Sequence, residues 1–250
     1  MHAAILLFLV PVLAADTAPR PEELIHRAIQ VGKAQEAKGW KFTWKEDVSE
    51  KETTKTFDVI MLEGSNYRKL ILVDGKPLDA KMQKRVDADL EKERAARRAR
   101  KTFSLHRSVS LGGLETLEEL FNNRLAGEEL VGDRPAWRIE SEPKTDHKPT
   151  DKDEEQAMSA RRTTWIDKEE GTEVRWKSVF VKAANGFQPG TVMEGQQGRV
   201  LDDQKGLAWM PASTVFRFDV KFAPMIRAQG ETKYRYYDYK RFGSDSRIVE

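Results

Sequence analysis

The sequence predicts an α+β fold: a large curved antiparallel β-sheet with helices packed on its concave face. Three observations carry this. Helical and strand signals are segregated in the order helix, three strands, two helices and about six strands, without the βαβ alternation of parallel-sheet nucleotide folds. In the run Thr214 to Phe222, the side chains of Phe216, Phe218, Val220 and Phe222 share one face and Arg217, Asp219 and Lys221 the other, the alternation of an antiparallel sheet with one wet face. The chain is only 39% hydrophobic and 34% charged, with 6 Trp and 11 Phe, which suits a thin core built from large rings.

The elements follow in order. Ala3 to Leu13 is an apolar run of signal-peptide length, shorter than the roughly 20 residues that span a bilayer. Val12-Leu13-Ala14 and Leu13-Ala14-Ala15 place small residues where a signal peptidase cuts, although the n-region carries only His2 and no Lys or Arg. Residues 1–15 therefore read as a signal peptide cleaved after Ala14 or Ala15, and 16–250 as a single exported domain of the periplasm. From Pro21 to Lys38, Leu24, Ile25, Ala28, Ile29 and Val31 recur at helical spacing, Pro21 presets the first turn and Gly39 stops the helix. Trp40 to Lys45 alternates aromatic and polar residues, Thr53 to Glu63 is rich in Thr, Val and Phe, and Tyr67 to Val73 lies between two turn signals, so three strands follow.

Asp79 to Lys101 reads as a long charged helix capped by Asp79, and Leu114 to Asn122 as a shorter amphipathic one, together a helical insert over 79–122. Arg124 to Val131 and Pro135 to Ser141 flank the hairpin signal Gly132-Asp133. Residues 142–158 read as a polar, mobile loop. Arg161 to Asp167, Thr172 to Ala183, Thr191 to Val200, Leu207 to Phe222 and Glu231 to Phe242 supply the remaining strands.

Catalytic chemistry is not encoded in any recognisable form. The 4 histidines lie too far apart in sequence to form metal-binding pairs, and 0 Cys leaves neither disulfide, lipobox nor thiolate. No nucleophile elbow or phosphate loop occurs. The reading is a binding protein without catalytic residues, metal or cofactor. A net charge of +2 gives no global field for nucleic acid. Candidate cavity-lining residues are Trp40, Phe42, Trp44, Phe57, Trp137, Trp165, Phe216 and Phe218; the plainer reading of these rings is a filled core. Such a cavity suits an acyl chain, since each buried CH₂ contributes about 0.8 kcal/mol. Arg94, Arg97 and Arg98 are candidates for headgroup contact, with only peripheral membrane binding; the alternative is a solvated helix end with Glu93 and Arg97 paired at i,i+4.

Several segments together resemble the outer-membrane lipoprotein-sorting superfamily, the half-barrel carriers grouped with LolA, LolB and RseB. They are Gly39-Trp40-Lys41-Phe42-Thr43-Trp44, Tyr67-Arg68-Lys69-Leu70 ahead of Asp74-Gly75-Lys76-Pro77-Leu78, Gly132-Asp133-Arg134-Pro135-Ala136-Trp137 and Thr164-Trp165-Ile166-Asp167-Lys168. The long charged helix after Asp74-Gly75-Lys76-Pro77-Leu78 is similar to the acidobacterial-type members. The resemblance implies an unclosed half-barrel plugged by helices, and a groove for a lipid or the acyl chain of a lipoprotein. It also implies an alternative, an RseB-like regulatory module with an envelope protein partner. Carriers of this kind use an arginine of an early strand to hold the helices closed; Lys41, Lys45 and Arg68 are the nearest positions, and none matches by motif.

Overall fold

The computed structural model describes residues 18–99, 113–201, 207–223 and 226–242. Its elements are α1 (Pro21–Ala37), β1 (Lys41–Glu50), β2 (Thr53–Leu62), β3 (Ser65–Val73), β4 (Lys76–Pro77), α2 (Ala80–Ala99), α3 (Leu114–Leu120), β5 (Phe121–Val131), β6 (Arg134–Pro143), α4 (Lys152–Ala157), β7 (Ala160–Asp167), β8 (Glu173–Phe180), β9 (Val192–Leu201), β10 (Leu207–Ala223) and β11 (Ile226–Phe242). All the strands belong to one 11-stranded sheet ordered β4-β3-β2-β1-β11-β10-β9-β8-β7-β6-β5. Every neighbouring pair is antiparallel. The sheet does not close on itself, so the α+β prediction resolves into an unclosed half-barrel. Register shifts such as those at Thr43/Lys45, Pro211/Ser213 and Leu125/Gly127 supply the local twist that such curvature needs. One edge is blunted by β4, two residues long with Pro77 in it.

One register row identifies a single face from end to end. Ile139 pairs with Thr164, Thr164 with Trp176, Trp176 with Gly195, Gly195 with Thr214, and Thr214 with Tyr234. Over the β5–β7 end of this face lie α1 and α3, whose Leu24, Ile25, Ala28, Ile29, Leu117 and Leu120 form the main core with Phe121, Ile139, Met158 and Ile166. Burying each such aliphatic side chain contributes about 1.5–3 kcal/mol. His26 of α1 and Glu118 of α3 meet at 3.0 Å on the rim of this contact. Arg27 of α1 also reaches the Glu169 carbonyl at 3.1 Å, beside Gly171, where a Cβ would lie 2.5 Å from Arg27 Nε.

Three sequence expectations need correction. The sheet face covered by α1 and α3 is not the one α2 meets: Asp87 of α2 pairs with Lys69 at 3.1 Å and Arg97 lies over the Tyr67 ring, and both β3 residues alternate to the side opposite Arg68 and Leu70. The helix expected over Leu114 to Asn122 stops at Leu120, because Phe121 is already extended (φ −123°, ψ 149°) and buries its ring as the first residue of β5. The stretch 142–158 is not loop throughout. β6 runs to Pro143, and the Asp151 carboxylate accepts the Asp153 and Glu154 N–H groups at 2.8 Å to start α4, which buries Gln156 and Ala157. The expected signal peptide over 1–15 and the middle of the 79–122 insert, residues 100–112, lie outside the described residues.

Candidate functional groove

Toward the other end of the α1 face, across β1, β2, β3, β10 and β11, no described helix covers the sheet. A groove of about 700 Å³ opens there, lined among others by Val48, Phe57, Arg68, Phe218, Thr232 and Tyr234. This is within the range of about 300–1,000 Å³ common for ligand sites. Strand register makes these neighbours. Phe57 pairs with Glu46, Lys55 with Val48, Val48 with Tyr234, and Phe216 with Thr232.

A polar bridge crosses the groove floor. Arg68 of β3 extends over the Phe57 ring, 4.4 Å from its centroid, and donates from Nη2 to Oε1 of Glu46 on β1 at 2.7 Å. The Glu46 side chain is 7% exposed and that of Arg68 48%. Burial pushes the Glu46 carboxyl above its ordinary range, while the Arg68 charge and hydrogen bond draw it back. Tyr234 and Tyr236, stacked at 6.3 Å, are also raised, chiefly by burial. On the reverse side of the same strands lies a separate network. Asp47 accepts from Thr56 (2.8 Å), Arg235 (2.6 Å) and Tyr237 (3.2 Å). Against burial, which raises it, these donors hold the Asp47 carboxyl below its usual range.

One wall of the groove continues into a row of aromatic rings. From Phe218 a chain of rings runs to Phe216 (5.3 Å), Phe187 (5.9 Å) and Phe180 (5.2 Å). Gly230 opposite Phe218 leaves room for that ring, since a Cβ there would stand 2.7 Å from Phe218 Cζ. The same device recurs farther along, where a Cβ on Gly195 would stand 2.6 Å from Trp176 Nε1.

The predicted rings are distributed as follows. Phe57 and Phe218 line the groove, and Phe216 continues it. Phe42 and Trp44 sit on the same face and pack around Tyr239 at 6.3 and 5.9 Å. Trp44 Nε1 is buried without a hydrogen-bond partner among the described residues. Trp40 lies between Lys38 and Arg241, at 4.6 and 4.3 Å. Trp137 packs against the α1–α3 core under Lys168. Trp165 is on the opposite face from Ile166, in a cluster with Val131, Ala136, Val174 and Trp209, and donates to Glu129 at 3.0 Å.

The three arginines offered for headgroups lie on α2, away from the groove. Arg97 holds the β2–β3 turn through the Leu62 and Ser65 carbonyls, both at 3.0 Å, Arg98 pairs with Glu63 at 2.7 Å, and Arg94 pairs with Glu91 at 2.7 Å. Of the cations that line the groove, Arg68 reads in sequence as an arginine inside an apolar strand and as one of the positions nearest to the carriers' early-strand arginine, and Glu46 as one of three consecutive charged residues. Among the described residues no group of three or more His, Cys, Asp and Glu could hold a metal. No described helix is long and apolar enough to cross a membrane.

No protein-family profile matches the sequence, and no curated protein matches it. Among solved structures it is similar to a DUF1329 family protein from Desulfovibrio piger (12% identity, 90% of this chain and 93% of that one, TM-score 0.40). It is similar also to a LolA superfamily protein from Nitrosomonas europaea (8%, 89% and 94%, TM-score 0.37). A third is a putative outer membrane lipoprotein-sorting protein domain from Vibrio parahaemolyticus (12%, 90% and 95%, TM-score 0.38). At these values the function of the chain has to be read from its own groove.

Proposed function

We propose that this chain is a non-catalytic binding protein of the cell envelope, a periplasmic carrier or sensor that takes the acyl chain of a lipid or lipoprotein into the groove over β1–β3, β10 and β11. The observation that carries the reading is an open groove on the same sheet face as the core, floored by Phe57 and continued by Phe218 and Phe216. An acyl chain laid on these rings gains about 0.8 kcal/mol for each CH₂ removed from water. The bridge of Arg68 and Glu46 gives the apolar floor a polar end, so an amphiphile fits it better than a hydrocarbon.

A displacement assay tests the reading. The protein is titrated into a fluorescent fatty acid, and unlabelled phospholipid and fatty acid are used as competitors. Saturable, one-to-one binding that weakens when Gly230→Val drives Phe218 into the groove supports it. Absence of uptake of any acyl compound by folded protein contradicts it. The alternative, a regulatory module with an envelope protein partner, is favoured by Leu130, which stands 66% exposed on the edge strand β5. In-cell crosslinking from β5 to a stoichiometric partner, unaffected by lipid, would select it.

A further inference from the structure

We propose that the groove is selective for an amphiphile with an anionic head, the head held by Arg68, Lys55 and Lys51 and the chain laid along Phe218 and Phe216. The proposal rests on the acyl-binding reading above and adds the charge of the head.

Charge bookkeeping around the groove gives the sign. Its lining cations are Lys51, Lys55 and Arg68, and its lining carboxylates are Glu50 and Glu231. Glu231 is already occupied from outside the groove, by Arg217 at 2.6 Å and Lys233 at 2.9 Å. Glu50 meets the Thr232 hydroxyl at 3.4 Å. Neither Lys51 nor Lys55 has an ion-pair partner among the described residues, and both are exposed at the mouth. With Arg68 paired to Glu46 and Glu231 engaged by Arg217 and Lys233, Lys51 and Lys55 stand against Glu50 alone, so the lining is net positive.

Arg68 gives the recognition its geometry. A guanidinium carries five N–H donors in a planar fork, and the bond to Glu46 uses one nitrogen, Nη2. Phe57 beneath the plane fixes its orientation. With half of its side chain exposed, the fork offers further donors to a carboxylate or phosphate oxygen arriving in the groove. The apolar path away from it runs over Phe218 to Phe216, whose ring centroids lie 5.3 Å apart.

The test compares 11-(dansylamino)undecanoic acid with its methyl ester, which has the same chain and fluorophore without the charge. The acid is expected to bind about tenfold or more tightly than the ester, the ratio of one charge-assisted hydrogen bond. In the double variant Glu46→Gln/Arg68→Met, which leaves no buried carboxylate unpaired and keeps an aliphatic group over Phe57, the advantage should fall below about threefold with ester affinity retained. Lys55→Gln, at an exposed site, provides a second variant and should lower the advantage without altering the melting temperature.

Equal binding of acid and ester by wild type overturns the proposal while leaving acyl binding intact. So does an acid preference that survives in folded double variant, or displacement of the acid by millimolar inorganic phosphate, which marks a free-anion site. Failure of both dansyl compounds to bind folded protein overturns the acyl-binding reading itself.

Discussion

Arg68 and Glu46 join across the intervening strand: from β3 the guanidinium passes over Phe57 of β2 and meets a carboxylate on β1 that is almost wholly buried. The contact ties the first three strands on the groove side, as Asp47 with Thr56 and Arg235 ties β1 to its neighbours on the reverse side. It also fixes where a polar ligand end could sit.

Removing one partner of this pair should cost more than removing both. Arg68→Ala leaves Glu46 buried and uncompensated and is expected to lower stability by about 1–3 kcal/mol, less than a fully buried pair because Arg68 is half exposed. Glu46→Gln/Arg68→Met should recover most of that loss. Urea denaturation of wild type and the two variants measures it, and a double variant no more stable than Arg68→Ala would contradict the pairing.

The carboxylates also fix the direction of pH dependence. Glu46 has a folded-state pKa above its unfolded value, so between the two the native state holds the extra proton and stability falls as pH rises through that window. Asp47 and Asp167 are lowered, so they contribute stability above their unfolded values that is lost as pH falls toward their folded ones. Glu46→Gln should therefore flatten the stability profile just above the ordinary Glu range and leave the acid limb, below the ordinary Asp range, unchanged. Chemical denaturation across pH 2–7 reads both limbs; loss of the acid limb in Glu46→Gln would contradict the assignment.

Asp167 should be the most sensitive polar position outside the groove. Its side chain is 0% exposed, accepts from Arg134 Nε at 2.6 Å and Nη2 at 2.8 Å, and receives the Glu169 and Glu170 N–H groups that shape the β7–β8 turn. Asp167→Ala strands two backbone donors and leaves Arg134 only Glu169 and Glu170 as partners, and is expected to cost about 1–3 kcal/mol. Asp167→Asn, which keeps an acceptor oxygen, should cost less. A melting temperature unchanged in Asp167→Ala would contradict this role.

Two ring positions make opposite predictions. Gly195→Ala presses on Trp176 and should cost about 1–3 kcal/mol, with a change in tryptophan emission as the indole leaves the Arg162 guanidinium. Trp44→Phe removes a buried N–H that lacks a partner among the described residues and should be neutral or stabilising by about 1 kcal/mol. Thermal denaturation compares them; strong destabilisation by Trp44→Phe would show that the indole nitrogen has a structural role.

The sheet was legible where one face is wet and one dry, as in Thr214 to Phe222, because alternation then marks the register directly. It was not legible which side the Trp165 ring of β7 takes. Thr164, Trp165, Ile166 and Asp167 are all buried, so the period-2 signal vanishes and Trp165 could be placed on either face from sequence. The groove residues were hidden for a related reason. Lys45-Glu46-Asp47 looks like a solvated run, yet β2 and β11 flank it on both sides and bury the last two. The arginines of α2 stood out by their density; Arg97 and Arg98 dock that helix onto the β2–β3 turn, and Arg94 pairs within it.

Native mass spectrometry of the full chain purified from cells under non-denaturing conditions, followed by lipid extraction, tests acyl binding most directly. The account predicts one acyl-bearing molecule per protein in the wild type and its loss in folded Gly230→Val, where the displaced Phe218 ring fills the groove. Wild-type protein that carries no lipid and takes up none from added vesicles would contradict it, as would a bound lipid retained undiminished in Gly230→Val.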